Sequence, residues 1–229
     1  MNGYMDMDKR LERIERLQRA GVTFLDASTA YIGDEVSVGE GSVVYPNVYI
    51  DGKTVIGRNT VLHFGCVLTD TRVGDDCVLR YVTANAATIG DRVTIGPYVN
   101  LRPASVIGDD CRIGDFVEVK NSTVGAMSKL PHLSYVGDSD IGERVNVGCG
   151  TVFVNYDGHH KHRCTVGDDV FIGCNTNLVA PVTLEDNTYT AAGSTITRDV
   201  GSGELAVARS RQVNIAGWVE RHRKRCTSS

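Results

Sequence analysis

His132 stands in the run PHLSYVGD, between Pro131 and Leu133. An imidazole titrates near neutral pH, so His132 is a candidate general base. The other reading is a structural histidine that satisfies backbone carbonyls at the base of a loop. Arg102, in LRPAS, and Lys120, in VEVKNS, lie 18 residues apart. Two cations brought together repel unless an anion sits between them, so a fold that stacks them describes a phosphate or carboxylate site. The competing reading pairs them with Glu118 or a nearby aspartate. A third polar group crowds the stretch from Val154 to Thr165, with Asn155, Tyr156, His159, His160, Lys161, His162 and Arg163.

The elements that would position these residues are legible in a period of six. Ile89, Ile95, Leu101, Ile107, Ile113 and Val119 form one unbroken aliphatic run. Ile32 to Leu68 form another, and Val166 to Ile196 a third in which Thr190 takes one place. Glycine often follows the aliphatic residue, and the position four beyond it is small or branched, as at Val36, Val93, Cys111 and Val170. Six fits neither a 3.6-residue helix nor a simple alternating strand. It fits a parallel β-helix, an all-β solenoid in which each hexad is one short strand and one corner. Equivalent residues of neighbouring coils then stack about 4.8 Å apart. No hexad buries its face alone, so stability comes from neighbours. Three hexads per coil predict roughly eight to ten coils. Arg102 and Lys120 are then stacked neighbours on one edge.

The repeat breaks in three places. After Leu68 the next aliphatic residue, Val73, comes one position early. After Val124 the hexad is read as lost until Ile141, which predicts that His132 lies in an irregular surface segment. After Phe153 a longer interruption carries the third polar group. Insertions in a solenoid leave its surface as loops, and such loops commonly hold the binding chemistry. Residues 1–30 read as an N-terminal helix and linker. The helix runs from about Met7 to Ala20, with Leu11, Ile14 and Leu17 on one side and Gly21 ending it. The β-helix occupies 31–200. Residues 201–229 read as an irregular tail of the same functional unit, with Arg209, Trp218 and the basic run from Arg221 to Arg225.

Composition agrees with one solenoid. The 229 residues are 41% hydrophobic and 7% aromatic, with 25 Gly, and the formal net charge is −4. No basic field argues for nucleic acid. Seven Cys without a CxxC pair point to a reducing compartment. No signal peptide and no bilayer-spanning apolar run is found, so a cytoplasmic protein without membrane partners is expected.

The strings LRPAS, GDFVEVKNS, PHLSYVGDSDIGERVNVGCGT, NYDG, GDDVFIGCNTNLVAPV and AAGSTITRDV occur in that order. Together they resemble the C-terminal, acetyltransferase half of the bifunctional N-acetylglucosamine-1-phosphate uridylyltransferase / glucosamine-1-phosphate N-acetyltransferase family. The resemblance covers nearly the whole chain, including GVTFLD after the first helix. It implies a left-handed coil and acetyl transfer from acetyl-CoA to the 2-amine of glucosamine-1-phosphate, a step of UDP-N-acetylglucosamine and cell-wall biosynthesis. By the same resemblance His132 is the base and Glu118 orients it. Arg102, Lys120, Tyr135, Asn146 and Lys161 hold the sugar phosphate. Asn155 and Tyr156 hold the amine and acetyl group, Cys149 lends a backbone amide beside the thioester, and Cys174, Ala192 and Arg209 line the acetyl-CoA site. Where the family usually has Ala or Ser, this chain has Cys149, and where it often has Gly, Pro131. A homotrimer with sites between subunits is implied, and no metal is required. No nucleotide-binding α/β segment precedes the helix, so the sequence reads as a stand-alone acetyltransferase or an excised half, with a separate uridylyltransferase as a possible partner.

Three other readings compete. An acetyltransferase for a different amino sugar would share the fold, but an acceptor without an anionic group would leave Arg102 and Lys120 unpaired. A γ-carbonic-anhydrase-like metal lyase would need histidines such as His63 and those of HHKHR to converge on a metal. A non-catalytic scaffold would have no use for the full set of His132, Arg102, Lys120, Tyr135 and Asn155.

Overall fold

Aliphatic side chains that recur once per short strand have only the coil interior in which to be buried together. The computed structural model describes residues 7–226, and there the chain winds into a parallel β-solenoid of about ten turns with a helix at each end. Every strand-to-strand ladder among the described residues is parallel, and most strands are two or three residues long. One face is a nine-stranded sheet of its own. Its inward column reads Val38, Ile56, Val73, Ile89, Ile107, Val124, Ile141, Val166 and Leu184, each in register with the next. The early arrival of Val73 therefore breaks nothing. A corner one residue shorter, turned by Asp70 at φ 48°, keeps Val73 opposite Ile56.

The other two faces are joined by two long strands, Arg112–Lys120 and Lys129–Gly137. Each runs around a corner without losing its ladder, turning at Phe116 (φ 59°) and Leu133 (φ 29°). This corrects the expectation that His132 sits in an irregular loop. Leu130 falls six residues after Val124 and Val136 six after Leu130, and both are fully buried. The hexad persists through Pro131, and His132 rides on a regular corner. The interruption after Phe153 is a true excursion, leaving the coil after Val154 and rejoining it at Cys164.

Corner interiors are lined by small hydroxyls and thiols that answer backbone carbonyls. Thr60 donates to the Gly74 carbonyl (3.0 Å), Cys77 to Gly90 (3.1 Å), Cys111 to Gly125 (3.1 Å) and Ser128 to Gly142 (2.9 Å). Four buried cysteines, Cys66, Cys77, Cys111 and Cys164, have their thiols pushed up to about 11 by burial. They are packing residues.

The N-terminal helix, Met7–Arg19, lays Ile14 and Leu17 against the base of the coil, while Leu11 is exposed. Arg10 takes the remaining place on the buried stripe, its guanidinium donating to the Ser28 carbonyl (3.1 Å) and lying over the Tyr31 ring. The helix closes with paired bonds from Val22 to Leu17 and from Gly21 to Gln18, with Gly21 at φ 89°. The coil extends beyond the expected limits, since Thr23–Phe24 pairs with Val43–Val44 and Leu205–Ala206 with Tyr189–Thr190. Nor is the tail wholly irregular: Trp218–Cys226 is a helix. It buries no residue. Trp218 stacks on His222 one turn away (4.7 Å), and Arg223, Lys224 and Arg225 sit at the negative end of the helix dipole.

Candidate active site

Stacking in register turns sequence spacing into columns on the surface. Asp115 pairs with His132. The same register carries His132 onto Cys149, Cys149 onto Cys174 and Cys174 onto Ala192, one coil each. Backbone bonds between the corners fix the stack: Gly150 N–H to the Leu133 carbonyl (2.8 Å), Asn175 to Cys149 (2.7 Å) and Gly193 to Cys174 (2.8 Å). Arg209 lies against Gly193 at the end of this column. Five of the expected residues thus share one edge.

The face beyond that corner presents Asn100, Glu118, Tyr135 and Val152 outward, again in register. At its far side Arg102 and Lys120 are stacked neighbours as their spacing predicts, with the Arg102 N–H on the Val119 carbonyl (2.8 Å). Each cation has a carboxylate. Arg102 Nη1 donates to Glu118 Oε1 (2.9 Å), and Lys120 Nζ lies 3.9 Å from Asp138 Oδ2. Glu118 is therefore engaged by Arg102 in this structure, and the residue beside His132 in the ladder is Asp115.

Asp138 is the centre of this side and was not found by sequence reasoning. It is buried on a corner at φ 49°. Its Oδ1 accepts from Asn121 Nδ2 (2.6 Å), and its Oδ2 from Asn155 Nδ2. Burial alone would raise its pKa, but the bonds from Asn121 and Asn155 and the charges of Lys120 and Lys161 outweigh it and hold the carboxyl below its ordinary value. Lys161 is lowered by the Lys120 amine beside it and its charge, so the two cations are neighbours here. Asn155 Nδ2 also lies 3.5 Å from Tyr135 Oη. Gly137 makes room for this, because a Cβ there would stand 2.4 Å from Tyr135 Oη and 2.7 Å from Asn155 Nδ2. The signal available in the sequence was Asp138 itself, 18 residues after Lys120 at the same corner.

Two expected residues lie apart. Asn146 is on the neighbouring face, between Lys129 and Phe171. Tyr156 belongs to the excursion, where it bridges Lys161 and its hydroxyl donates to the Gly158 carbonyl (2.7 Å). The excursion is tied by Asp157, which accepts from the His159 and His160 amides (2.7 and 2.6 Å) and from His162 Nε2 (2.8 Å). Those bonds lower the Asp157 carboxyl to about 2. The histidines thus face Asp157 or solvent, and among the described residues no group of three or more His, Cys, Asp or Glu is placed to hold a metal ion. No helix among them is long and apolar enough to cross a membrane.

Comparison with known proteins follows the same lines. The bacterial transferase hexapeptide (six repeats) family matches residues 35–70, 86–121 and 163–198. The bifunctional protein GlmU of Clostridium beijerinckii is 49% identical over 88% of this chain and 44% of its own length. GlmU of Clostridium perfringens is 51% identical over the same shares, 88% and 44%. The chain belongs with the hexapeptide-repeat proteins, as the counterpart of the C-terminal part of GlmU. It spans about half the length of the curated relatives it matches. Among solved structures, Arabidopsis UDP-N-acetylglucosamine acyltransferase aligns with a TM-score of 0.55 at 16% identity, over 82% of this chain and 70% of that one, which shows a shared fold. In this hexapeptide-repeat chain the expected residues other than Asn146 and Tyr156 gather on one face and its two bounding corners.

Proposed function

We propose that the chain transfers the acetyl group of acetyl-CoA to the 2-amine of glucosamine-1-phosphate. One observation carries this reading: in a chain about half identical to GlmU, Arg102 and Lys120 are stacked on the face that His132 bounds. The sugar phosphate would sit at Arg102 and Lys120 with Tyr135 and Lys161, as charge-assisted bonds require. His132 would accept the proton from the amine as it attacks the thioester carbonyl. Glu118 is held by Arg102 here; once the phosphate claims Arg102, Glu118 is free to turn toward the imidazole and stabilise its charged form. A backbone amide at the Cys149 corner would meet the oxyanion. Thiolate is a good leaving group, so proximity and one base supply much of the acceleration, with no metal and no acyl-enzyme.

Acetyl-CoA would run along the column of Cys149, Cys174 and Ala192, with Arg209 on a phosphate. Asn155 and Tyr156 would hold the acetyl group and amine. Asn146 lies one face away, which supports a site closed by a second copy of the chain. We infer a homotrimer for that reason. A ladder of exposed aromatic rings supports self-association. Tyr81, Tyr98 and Phe116 stack at 5.1 and 5.4 Å along the corner that leads to Leu133, and Phe116 is 59% exposed. In this reading residues 1–30, 31–200 and 201–229 act as one unit, and a separate uridylyltransferase is a candidate partner.

The test is thiol release from acetyl-CoA with glucosamine-1-phosphate beside plain glucosamine. Release with the phosphate alone is expected. Release with neither, by folded protein, overturns the acceptor and leaves a different amino sugar.

A further inference from the structure

The amide of Asn155 can face its surroundings in two ways, with nitrogen or with oxygen outward, and only its neighbours decide which. Here the neighbour is Asp138, whose side chain is 7% exposed and whose two oxygens already take Asn121 Nδ2 (2.6 Å) and Asn155 Nδ2. An ionised carboxylate accepts and cannot donate. Both amides are therefore obliged to turn nitrogen toward Asp138, and the carbonyl oxygen of Asn155 is turned away from it. Gly137 removes the one Cβ that would keep Asn155 and Tyr135 apart.

We propose that Asp138 is a positioning residue that acts through Asn155, fixing its carbonyl oxygen as an acceptor for the N–H of the attacking amine while Lys120, 3.9 Å away, is held ready for the phosphate. This rests on the acetyltransferase reading above. The amine must offer its lone pair to the thioester and direct its hydrogens to acceptors, and His132 is one such acceptor. Asn155 is a second, provided its oxygen and not its nitrogen faces the amine. An amide nitrogen there would present hydrogens to hydrogens. An asparagine at 138 could either donate or accept, so it would leave Asn155 free to turn either way. Burial supports the same assignment, because the carboxylate has little solvent to compete with the amides for its oxygens.

The experiment is a mutant cycle with acetyl-CoA and glucosamine-1-phosphate, each protein checked by thermal melting. Asp138→Asn and Asn155→Ala should each lower kcat about tenfold or more, the size of one charge-assisted hydrogen bond. The double variant should be no slower than the worse single variant. The swap Asp138→Asn with Asn155→Asp keeps one carboxylate and one amide in the pocket and still turns an oxygen outward. It should run at least about tenfold faster than Asn155→Ala. Additive losses, or a swap no better than Asn155→Ala, overturn the proposal. If Asp138→Asn does not fold, the comparison of the swap with Asn155→Ala decides alone. Wild-type protein that releases no thiol overturns glucosamine-1-phosphate as the acceptor and this proposal with it. Wild-type turnover with additive losses overturns this proposal only.

Discussion

At the scale of single residues, the proposed site separates proton transfer from anion binding. His132 lies on one corner, and Arg102 and Lys120 lie across the face, so the two functions should fail independently. His132→Ala should lower kcat by roughly 10²–10⁴, the usual worth of a positioned base, with little change in acetyl-CoA affinity. Stopped-flow thiol detection and calorimetry check this, and a near-normal rate would remove His132 as the base. Arg102→Ala should raise the KM for glucosamine-1-phosphate by about tenfold or more, the worth of one charged contact, and leave any trace activity on glucosamine alone. An unchanged KM for glucosamine-1-phosphate would show that Arg102 serves only Glu118. The sequence identified both residues from their chemistry and spacing. It did not show that Arg102 already has a partner in Glu118, since a bond across one coil depends on side-chain direction.

Elements in a solenoid carry stability as a sum of neighbouring coils, and the core columns set that sum. Leu101 is fully buried between Ala84 and Val119. Leu101→Ala should cost roughly 2–5 kcal/mol, read as a lower midpoint in urea unfolding. A loss below about 0.5 kcal/mol, the range of surface changes, would mean that the column does not bear the fold. The excursion between Val154 and Cys164 is different, because its order rests on Asp157. That carboxyl is depressed to about 2, so its bonds are complete above the ordinary carboxylate pKa of 3.8 and are lost as pH falls toward 2. Amide exchange at His159 and His160 should accelerate across that window before the coil opens. Protection unchanged down to pH 2 would show that other contacts hold the loop. Sequence spacing exposed the excursion correctly but not the continuity of the second break, where Leu130 and Val136 keep the period on either side of the polar and proline-containing corner at Pro131 and His132.

For the whole molecule, the open question is how a flat face becomes a closed site. Asn146 lies on the neighbouring face and the Tyr81–Tyr98–Phe116 ladder on the corner between the two faces, and both would be covered if copies associate side by side. Sedimentation should report three chains, and Tyr98→Ser with Phe116→Ser should shift the particle toward the monomer and lower activity together. A monomeric wild type would confine the site to one chain. The sequence by itself determined the coil, its core columns, the stacking of Arg102 on Lys120 and the placing of the polar excursion. Those follow from a period of six and from parallel register, which leave an aliphatic residue no other place to go. Only the tertiary structure decided that His132 rides a continuous corner with Cys149, Cys174 and Ala192, that Arg10 replaces Leu11 on the helix's buried stripe, and that Asp138 gathers Asn121, Asn155 and Lys120. Those depend on which corner shortens and which way a polar side chain turns. A repeat does not encode that, because every coil satisfies the period equally well.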